Sequence, residues 1–473
     1  MRTLVRNIGE LEGNEVELKG WVDGRRDHGG LIFIDLRDRS GVAQLVFNPK
    51  KFPEVHKVAE TLRTAFVISV KGEVKKRPQG MENPKVPSGS YEISVSVLEV
   101  INEAETPPIA TDGDGYDIGE ESRMKYRYLD LRRPRMSDNL RLRHKVIKFM
   151  RDFLDSREFV EIETPLLTKT TPEGARDFVV PARLHPGNFY ALPQSPQQYK
   201  QLLMVSGFEN YYQIARCFRD EDSRADRAYG EFTQLDVEMS FVGQEDILRL
   251  AEELFTELVG KLFPEKKITQ SPWPRISHKE AKEKYGSDKP DLRKNKEDKN
   301  ELAFAWVLDF PLFTEQSQED YFHGSGAAKF APSHHMFTAP HPDDVSLLES
   351  DPTKVRGLQH DMVLNGVEVG GGSIRIHNRK VQEKVFDLIG FSKAQKEQFR
   401  HMLQAFEYGV PPHGGIAPGV DRFLFTALGE PSLREVLAFP KTGDGRDLMM
   451  DAPSEVDKGQ LDELNLEVKK PKK

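Results

Sequence analysis

The chain has 473 residues and a formal net charge of −8, with 37% hydrophobic and 30% charged residues. This length is too great for one ordinary core and predicts two or three domains. No apolar run approaches the roughly 20 residues that span a bilayer, and the first residues lack a signal-peptide core, so we expect a cytoplasmic protein with no membrane partner. The negative charge argues against indiscriminate nucleic-acid coating, although it permits a local basic patch.

A single cysteine, Cys217, excludes internal disulfide bonds and thiolate metal cages. Any bound metal ion would therefore take carboxylate or histidine ligands. We expect Cys217 to be a small buried side chain, and the alternative is a catalytic thiol.

The pattern of residues 1–105 predicts a small β-barrel of the OB type. Five short segments there either alternate between apolar and polar residues or are continuously apolar, and Gly, Asp, Asn and Pro separate them. The expected strands are Val16–Trp21, Gly30–Leu36, Val42–Phe47, Ala65–Val74 and Tyr91–Ile101.

A tight turn at Asp38–Gly41 would set the register of the second and third strands. It places Gln44 opposite Asp35 and puts Phe33 on their face, while the neighbouring isoleucines face the other way. An aromatic ring beside an amide can stack one base and bind its edge, and Arg26 adds positive charge nearby. The alternative is that Phe33 belongs to the core.

Residues 106–137 are typical of a hinge or linker, since Glu, Thr, Pro, Gly and Asp dominate the first half. An α+β domain follows at 138–455, where Asp138 would cap the first helix. Its strands outnumber crossovers, which favours a mostly antiparallel sheet flanked by helices. We expect a short solvated connection at 279–301 and a C-terminal extension with a disordered tail at 456–473. Strands are expected near 159–165, 189–193, 211–219, 231–241, 304–309, 361–368 and 372–377, and helices at 195–206, 244–262, 379–389 and 393–408.

Three motifs in this domain point to a nucleotide site. Gly414–Arg422 combines glycines, which let backbone N–H groups approach an anion, with an arginine that can grip a phosphate. Such a run can also be only a turn. Cys217–Glu221 and Asp361–Arg375 add charges within strand-like apolar sequence, and charges in such places usually serve a site.

Together these motifs resemble those of bacterial-type aspartyl-tRNA synthetases, which are class II enzymes, over nearly the whole chain. Phe159–Pro165 resembles the dimer-forming first motif of that class, Phe218–Glu221 the second, and Gly415–Arg422 the third. The aspartyl assignment rests on longer strings at 171–175, 194–197, 231–236 and 368–375. The resemblance implies an OB-fold anticodon-binding domain, a class II catalytic sheet, a C2 homodimer, and ATP-dependent ligation of L-aspartate to tRNA.

The resemblance also implies roles for individual residues. Arg219 would span the amino-acid carboxylate and the α-phosphate of ATP, and Arg422 would anchor the outer phosphates, so both are candidate catalytic residues. Arg26, Phe33 and Gln44 would contact the anticodon. The aspartate-binding residues would include Glu173, Gln197, Lys200, Asp236, His334 and Arg375, and the ATP-binding residues Asp220, Glu221, Glu368, Gly419, Val420 and Asp421.

Selection of aspartate would depend on the cations Lys200 and Arg375. A site that bonds the β-carboxylate with two cations leaves them poorly paired when the neutral amide of asparagine binds. The alternative for His334 and His335 is a metal pair or surface histidines, but adjacent strand residues point oppositely.

Asp361 and Glu368 flank a turn at Asn365–Gly366. On paired strands they could meet and hold Mg²⁺, whose preferred ligands are carboxylates, phosphates and water. The alternative is that both are surface carboxylates.

The chain departs from the bacterial pattern in two places. Family members carry a large inserted domain after the position of Tyr285–Pro290, whereas here only a short charged link, 294–301, follows. Ala228–Gly230 stands where the family usually has Gln-Pro, so the second-motif loop is longer and lacks that glutamine.

His28 and Gly80 resemble the residues of family members that charge both tRNA(Asp) and tRNA(Asn). Histidine can donate or accept, and glycine adds no excluding side chain. We therefore predict a non-discriminating enzyme, with a tRNA(Asp)-specific enzyme and His28 as an ordinary loop residue as the alternative. The rival functions are an asparaginyl- or lysyl-tRNA synthetase and a catalytically silent RNA-binding paralogue.

Overall fold

A computed structural model of the chain describes residues 2–84, 86–170, 174–317 and 328–469. The chain divides into two units, residues 1–115 and residues 116–473, so part of the expected linker lies in the second unit. No helix in the described ranges is long and apolar enough to cross a membrane. Residues 470–473 of the expected tail lie outside the described residues, and the extension before them contains a short helix, Lys458–Glu463.

The first unit is the expected OB-fold barrel, closed by five strands among its described residues. Alternation along the strands builds the core, since Ile32, Ile34 and Leu36 are buried and Phe33 is only half-buried. The strands are β1 (Glu15–His28), β2 (Leu31–Asp38), β3 (Gly41–Phe47), β4 (Val67–Lys76) and β5 (Tyr91–Asn102), with a 3-10 helix at Val5–Leu11 and helix α1 at Pro53–Ala59.

The second unit is built on a mixed, mostly antiparallel sheet, which confirms the expected class. The described strands of this unit, including six that pair two by two outside the main sheet, are short except at the centre of that sheet. They are β6 (Val160–Glu161), β7 (Val179–Pro181), β8 (Phe189–Ala191), β9 (Asn210–Arg219), β10 (Gly230–Ser240), β11 (Lys267–Ile268), β12 (Arg275–Ser277), β13 (Glu301–Leu302), β14 (Phe304–Leu308), β15 (Phe313–Glu315), β16 (Phe330–Pro332), β17 (Gln359–Leu364), β18 (Val367–Ile374) and β19 (His413–Pro418).

Within the described residues the main sheet has eight strands in the order β12-β14-β17-β18-β19-β10-β9-β6. The marginal pairs β12–β14 and β6–β9 are parallel, and the central pairs are antiparallel. Strands distant in the chain therefore lie side by side at the centre, where charged residues of several motifs can meet.

Helices cover the sheet and bury its apolar face. Helix Gln244–Leu262 packs Leu248, Phe255 and Leu258 into the main core. The helices are α2 (Glu120–Lys125), α3 (Arg127–Asp130), α4 (Pro134–Asp155), α5 (Gln197–Val205), α6 (Gln244–Leu262), α7 (His278–Tyr285), α8 (Leu347–Ser350), α9 (Arg379–Leu388), α10 (Lys393–Gln398), α11 (Arg400–Phe406), α12 (Val420–Leu428) and α13 (Lys458–Glu463), and short 3-10 helices lie at Pro342–Asp344, Pro352–Lys354 and Leu433–Val436.

Several boundaries differ from the sequence expectations. Helix α4 begins at Pro134 and not after Asp138, because proline is favoured at the first helical position. Only β6 of the expected strand 159–165 pairs with a neighbour. The expected solvated connection 279–301 opens with α7, which Ser277 caps by accepting a hydrogen bond from the Glu280 N–H.

The glycines of the third motif serve strand packing. Gly414 and Gly415 lie in β19, where a Cβ on Gly415 would stand 2.0 Å from the Val237 carbonyl oxygen and 2.3 Å from Glu238 Oε2. A Cβ on Gly372 of β18 would stand 2.2 Å from the Gly415 carbonyl oxygen. These glycines therefore allow the close strand approach that leaves room for Glu238 between β10 and β19.

Candidate active site

A cleft lies over the central strands of the sheet, and residues of β9, β10, β18 and β19 line it. It gathers most of the residues that the sequence motifs singled out. The predicted residues that line it are Gln197, Lys200, Arg219, Glu221, Asp236, His334, Glu368, Arg375, Gly419, Asp421 and Arg422.

Lys200 and Arg375, the two expected cations for a substrate carboxylate, are almost fully buried. Arg375 donates hydrogen bonds of 2.9 and 3.0 Å to the two oxygens of Glu238, and Lys200 Nζ lies 3.4 Å from the same carboxylate. Burial alone would raise the pKa of Glu238, but the charges of Arg375 and Lys200 lower it to about 2. The ionised carboxylate therefore holds both cations in place.

Sequence reasoning missed Glu238. It lies two residues after Asp236 on β10, so both side chains share one face of the strand. The signal that could have identified Glu238 is this two-residue period, because it places the next charged residue after Asp236 on the same face of the strand.

Asp236 presents an acceptor that nothing in the described residues satisfies. Its Oδ2 accepts a 2.8 Å hydrogen bond from Lys200 Nζ, whereas its buried Oδ1 has no hydrogen-bond partner among the described residues. Burial raises the pKa of Asp236 and outweighs the opposing effect of Lys200. A ligand cation that bonds Oδ1 would relieve the cost of this unpaired group.

His334 and His335 are both part of this cleft, contrary to the expectation that they point in opposite directions. They lie in a loop, and their ring centroids are 4.5 Å apart. Arg375 Nη1 lies 2.8 Å from His335 Nε2. Burial, and then the charge of Arg375, lowers the pKa of His334 to about 4, and burial lowers that of His335 well below its usual value. Both rings are therefore neutral near pH 7.

The other end of the cleft carries arginines from the second and third motifs. Arg219 lies 5.1 Å from the centroid of the Phe232 ring and donates a long hydrogen bond, 3.4 Å, to the Gln194 carbonyl oxygen. Arg422 donates to the carbonyl oxygens of Asp226 and Glu368 at 3.0 and 3.1 Å. Two guanidinium groups that line one cleft can stabilise the charge of a polyphosphate.

Glu221 also lines the cleft, although β9 ends at Arg219 and strand alternation does not reach it. Its carboxylate lies 3.0 Å from Arg227 Nη1. Arg227 and Ala228 of the longer second-motif loop line the same cleft, and sequence reasoning missed both.

Some predicted residues have other surroundings. Asp220 accepts a 3.2 Å hydrogen bond from the Tyr229 hydroxyl outside the cleft lining, and Val420 is buried in the main hydrophobic core. Asp421 borders the cleft, but its carboxylate pairs with Arg143 and accepts a 3.0 Å hydrogen bond from the Thr233 N–H. Glu173 lies outside the described residues.

Asp361 and Glu368 converge as their spacing suggested. Asn365 and Gly366 form the turn between β17 and β18 with positive φ angles of 51° and 84°. A Cβ on Gly371 would stand 3.4 Å from Asp361 Oδ1, 3.5 Å from His334 Nε2 and 3.7 Å from Glu368 Oε1.

The two carboxylates of this pair repel each other when both are ionised. Burial, and then the neighbouring Glu368, raises the pKa of Asp361 well above its usual value. Burial would also raise the pKa of Glu368, but Arg422 and Lys289 lower it. Lys289, from the segment expected to be a solvated connection, lies 3.0 Å from Glu368.

These two carboxylates fit a divalent cation, because a cation would neutralise the repulsion that burial intensifies. No group of three or more His, Cys, Asp and Glu side chains suited to a metal occurs in the described residues. An ion here would therefore complete its coordination with phosphate oxygens and water.

Cys217 is buried, and burial raises the pKa of its thiol to about 12. Its Sγ lies 3.3 Å from Gln234 Oε1. A thiol with this pKa is protonated near pH 7, so the expectation of a small structural side chain is confirmed.

A polar face on the barrel of the first unit carries the residues expected to contact a nucleic acid. Asp35 pairs with Gln44 in the register between β2 and β3, as the turn predicted. Arg26 Nη2 lies 2.9 Å from Asp35 Oδ1 and 3.4 Å from Gln44 Oε1. Gln44 Nε2 donates a 3.0 Å hydrogen bond to Glu92, a residue that sequence reasoning missed. Half-buried Phe33 alternates with the core isoleucines on β2.

His28 and Gly80 are both exposed in this unit. His28 ends β1, and Gly80 has a φ of 83° that a side chain rarely adopts. The Gly80 N–H donates a 2.8 Å hydrogen bond to the Glu82 carboxylate. Both residues are accessible to a ligand.

Comparisons with known proteins agree with this architecture. Residues 16–101 match the family described as OB-fold nucleic acid binding domain. An asparaginyl-tRNA synthetase from Pyrococcus horikoshii, solved with asparaginyl-adenylate, superposes with a TM-score of 0.74 at 23% identity, covering 93% of this chain and 98% of that one. At this identity the likeness establishes the fold.

Closer relatives are found by sequence. The chain is 43% identical to a protein of Syntrophomonas wolfei and 42% identical to one of Rubrobacter xylanophilus, both named aspartate–tRNA(Asp/Asn) ligase, with 97% of this chain and 97% and 96% of the relatives covered. The first alignment extends over 583 positions, so that relative has segments without a counterpart in this chain of 473 residues. Residues 119–443 match the family described as tRNA synthetases class II (D, K and N), and the chain belongs to that family.

Proposed function

We propose that this chain is an aspartate–tRNA ligase that activates L-aspartate with ATP and transfers it to tRNA(Asp) and tRNA(Asn). The observation that carries the amino-acid assignment is the pair of buried cations, Lys200 and Arg375, held by Glu238 and Asp236. A short carboxylate matches two fixed cations. The names of the 43% and 42% identical relatives support the same substrate.

In the first step, an oxygen of the aspartate α-carboxylate attacks the α-phosphorus of ATP. An acyl–phosphate bond forms, the bond to the β-phosphate breaks, and pyrophosphate leaves. Arg219 and Arg422 balance the charge of the phosphoryl oxygens, because both guanidinium groups line the cleft. In the second step, a hydroxyl oxygen of the 3′-terminal adenosine attacks the acyl carbon, an ester bond forms as the acyl–phosphate bond breaks, AMP leaves, and the hydroxyl proton is released to solvent.

Aspartate has one donor group and one acceptor group that match the groups of the cleft. Its ammonium can bond the unpaired Oδ1 of Asp236, and its β-carboxylate can bond Lys200 and Arg375. Asparagine would turn an amide NH₂ group toward one of these cationic donors, and two donors cannot bond each other, so the site favours aspartate. His334 lines the same cleft with its buried Nδ1 lacking a partner among the described residues, and it would close over the ligand.

Asp361 and Glu368 would hold Mg²⁺, which would neutralise charge on the ATP phosphates. Arg422 lies 3.8 Å from Glu368 and would add positive charge for the same phosphates. Lys289 also lies 3.0 Å from Glu368 and adds positive charge beside this carboxylate.

The barrel would read the anticodon. Phe33 can stack a base while Gln44 bonds an edge, and Arg26 adds positive charge beside them. The aspartate and asparagine anticodons differ only at the third base, and His28 and Gly80, which are both exposed, would tolerate either one.

We further propose a cytoplasmic C2 homodimer formed around the first motif. Large apolar side chains near this segment are exposed in the single chain, including Val160, Leu166 and Leu167 at 44%, 45% and 53%. Such side chains together are unusual on a monomer. A sedimentation coefficient of a monomer at micromolar concentration would contradict the dimer.

The function is tested by amino-acid-dependent pyrophosphate exchange with aspartate, asparagine and lysine, followed by charging of tRNA(Asp) and tRNA(Asn). Exchange with aspartate alone is expected. Exchange with asparagine or lysine would indicate the related synthetases, and no adenylate with any amino acid would indicate a silent RNA-binding paralogue. A preference for tRNA(Asp) beyond about a hundredfold, roughly 2.7 kcal/mol, would contradict dual specificity.

A further inference from the structure

Three polar side chains are hydrogen-bonded in series behind the aspartate pocket, and among them only Gln197 lines the cleft. Gln197 and Gln201 lie one helical turn apart on α5, and Gln197 Nε2 donates a 3.1 Å hydrogen bond to Gln201 Oε1. Gln201 Nε2 lies 3.1 Å from His413 Nε2. His413 Nδ1 lies 2.8 Å from the Pro411 carbonyl oxygen.

The donor and the acceptor of every hydrogen bond in this series follow from its last bond, between His413 Nδ1 and the Pro411 carbonyl oxygen. A carbonyl oxygen can only accept, so His413 Nδ1 must carry the proton. Burial lowers the pKa of His413, which keeps the ring neutral and leaves Nε2 as an acceptor. Gln201 must then turn its NH₂ group toward His413 and its oxygen toward Gln197.

The same logic fixes the orientation of Gln197. Because Gln201 Oε1 can only accept, Gln197 must offer its NH₂ group inward. Its own Oε1 then remains for the cleft that Gln197 lines, and the described residues offer that oxygen no hydrogen-bond partner. An amide free to flip would present either a donor or an acceptor, and only the acceptor suits an ammonium group.

We propose that His413 and Gln201 are positioning residues that orient Gln197 so that its Oε1 accepts a hydrogen bond from the ammonium group of the amino-acid substrate. The assignment rests on the proposed function, since it takes aspartate as the occupant of the cleft. Gln201 and His413 are both completely buried and do not line the cleft. Their effect on the substrate therefore passes through Gln197.

The test is Gln201→Met, which keeps the length of the side chain and removes both hydrogen bonds. Aspartate KM in pyrophosphate exchange should rise about tenfold to a hundredfold, as expected for the loss of an oriented bond to a charged group, while ATP KM stays unchanged. Inhibition by succinate, which is aspartate without the ammonium group, should keep its parental constant. Equal weakening of aspartate and succinate, or of neither, would overturn the proposal.

A second variant and a control separate the relay from general damage. His413→Leu should raise aspartate KM as Gln201→Met does, and the double variant should cost no more than either single one, because all three break the same chain. Additive losses would contradict the relay. Asn139→Leu is the control, since Asn139 is buried and donates hydrogen bonds of 2.8 and 3.1 Å to the Glu430 carboxylate and the Glu435 carbonyl oxygen, outside the cleft lining. Its aspartate KM should equal that of the parent.

The outcomes also separate this inference from the proposed function. Parent protein that shows no aspartate-dependent exchange overturns both. Parent exchange with aspartate, combined with a Gln201→Met variant that loses succinate as well, overturns only the relay.

Discussion

The guanidinium of Arg375 and the carboxylate of Glu238 form a two-bond ion pair, at 2.9 and 3.0 Å, with both side chains buried. The pair fixes the direction of the Arg375 guanidinium. Arg375 thus needs no reorientation to meet a ligand carboxylate, which reduces the entropic cost of binding. Glu238 also lies 3.4 Å from Lys200, so one anion positions both cations of the pocket.

Arg375→Leu should abolish aspartate activation. Removal of one partner of a buried ion pair costs about 3–5 kcal/mol, or a hundredfold or more in the exchange rate. Arg375→Lys should fail as well, because an ammonium group cannot reproduce the two parallel bonds. Arg379→Leu, which removes an exposed arginine from α9, is the control and should exchange normally. Near-parental exchange in Arg375→Leu would mean that the carboxylate pocket lies elsewhere.

Glu368→Gln should weaken ATP binding and shift the Mg²⁺ dependence of exchange to higher concentration, because a neutral amide is a poorer Mg²⁺ ligand than a carboxylate. The measurement is a Mg²⁺ titration at fixed ATP. Glu383→Gln, which changes an exposed carboxylate of α9, should leave the titration unchanged. Superposition of the Glu368→Gln and parental curves would exclude the carboxylate as a ligand.

Tyr229, from the longer second-motif loop, should position that loop. Its ring lies edge-on to Phe178 at 6.2 Å, its hydroxyl bonds Asp220 at 3.2 Å, and it packs so closely on Gly445 that a Cβ there would stand 2.7 Å from the ring. Loss of the ring in Tyr229→Ala should cost about 1 kcal/mol and raise the KM for tRNA about fivefold, with aspartate KM unchanged. Tyr229→Phe keeps the ring and should remain close to the parent. Parental tRNA KM in Tyr229→Ala would contradict the assignment.

Acid should destabilise the protein through His360. Burial, and then Arg375, lowers its pKa to about 3, so an unfolded chain takes up a proton below pH 6.5 that the folded chain refuses until about pH 3. The free energy of unfolding therefore falls as the pH drops from about 6.5 toward 3, by about 1.4 kcal/mol per pH unit for this residue. Denaturant titrations between pH 7 and 5 should show a shallower slope for His360→Asn than for the parent. An unchanged slope would show that His360 titrates normally.

The sequence alone determined the barrel strands, the long central strands of the second unit and the charged residues within them. Period-two alternation identified the barrel strands, and the Asp38–Gly41 turn set the Asp35–Gln44 register, because both signals are local to a few residues. The Asn365–Gly366 turn likewise predicted the approach of Asp361 to Glu368. Motif strings identified Lys200, Arg375, Arg219 and Arg422, which the cleft brings together.

Only the tertiary structure decided which of these charges are partners. Glu238 gives no sign in the sequence that it pairs with Arg375, since the two lie 137 residues apart and meet only through the neighbouring strands of the sheet. The same holds for Lys289 beside Glu368 and for His413 behind Gln201. Long-range contacts depend on strand order and on glycines that allow close approach, and neither is encoded in a local pattern. The sequence identified the chemical groups of the site, and the packing of distant strands determined the orientations and protonation states of their side chains.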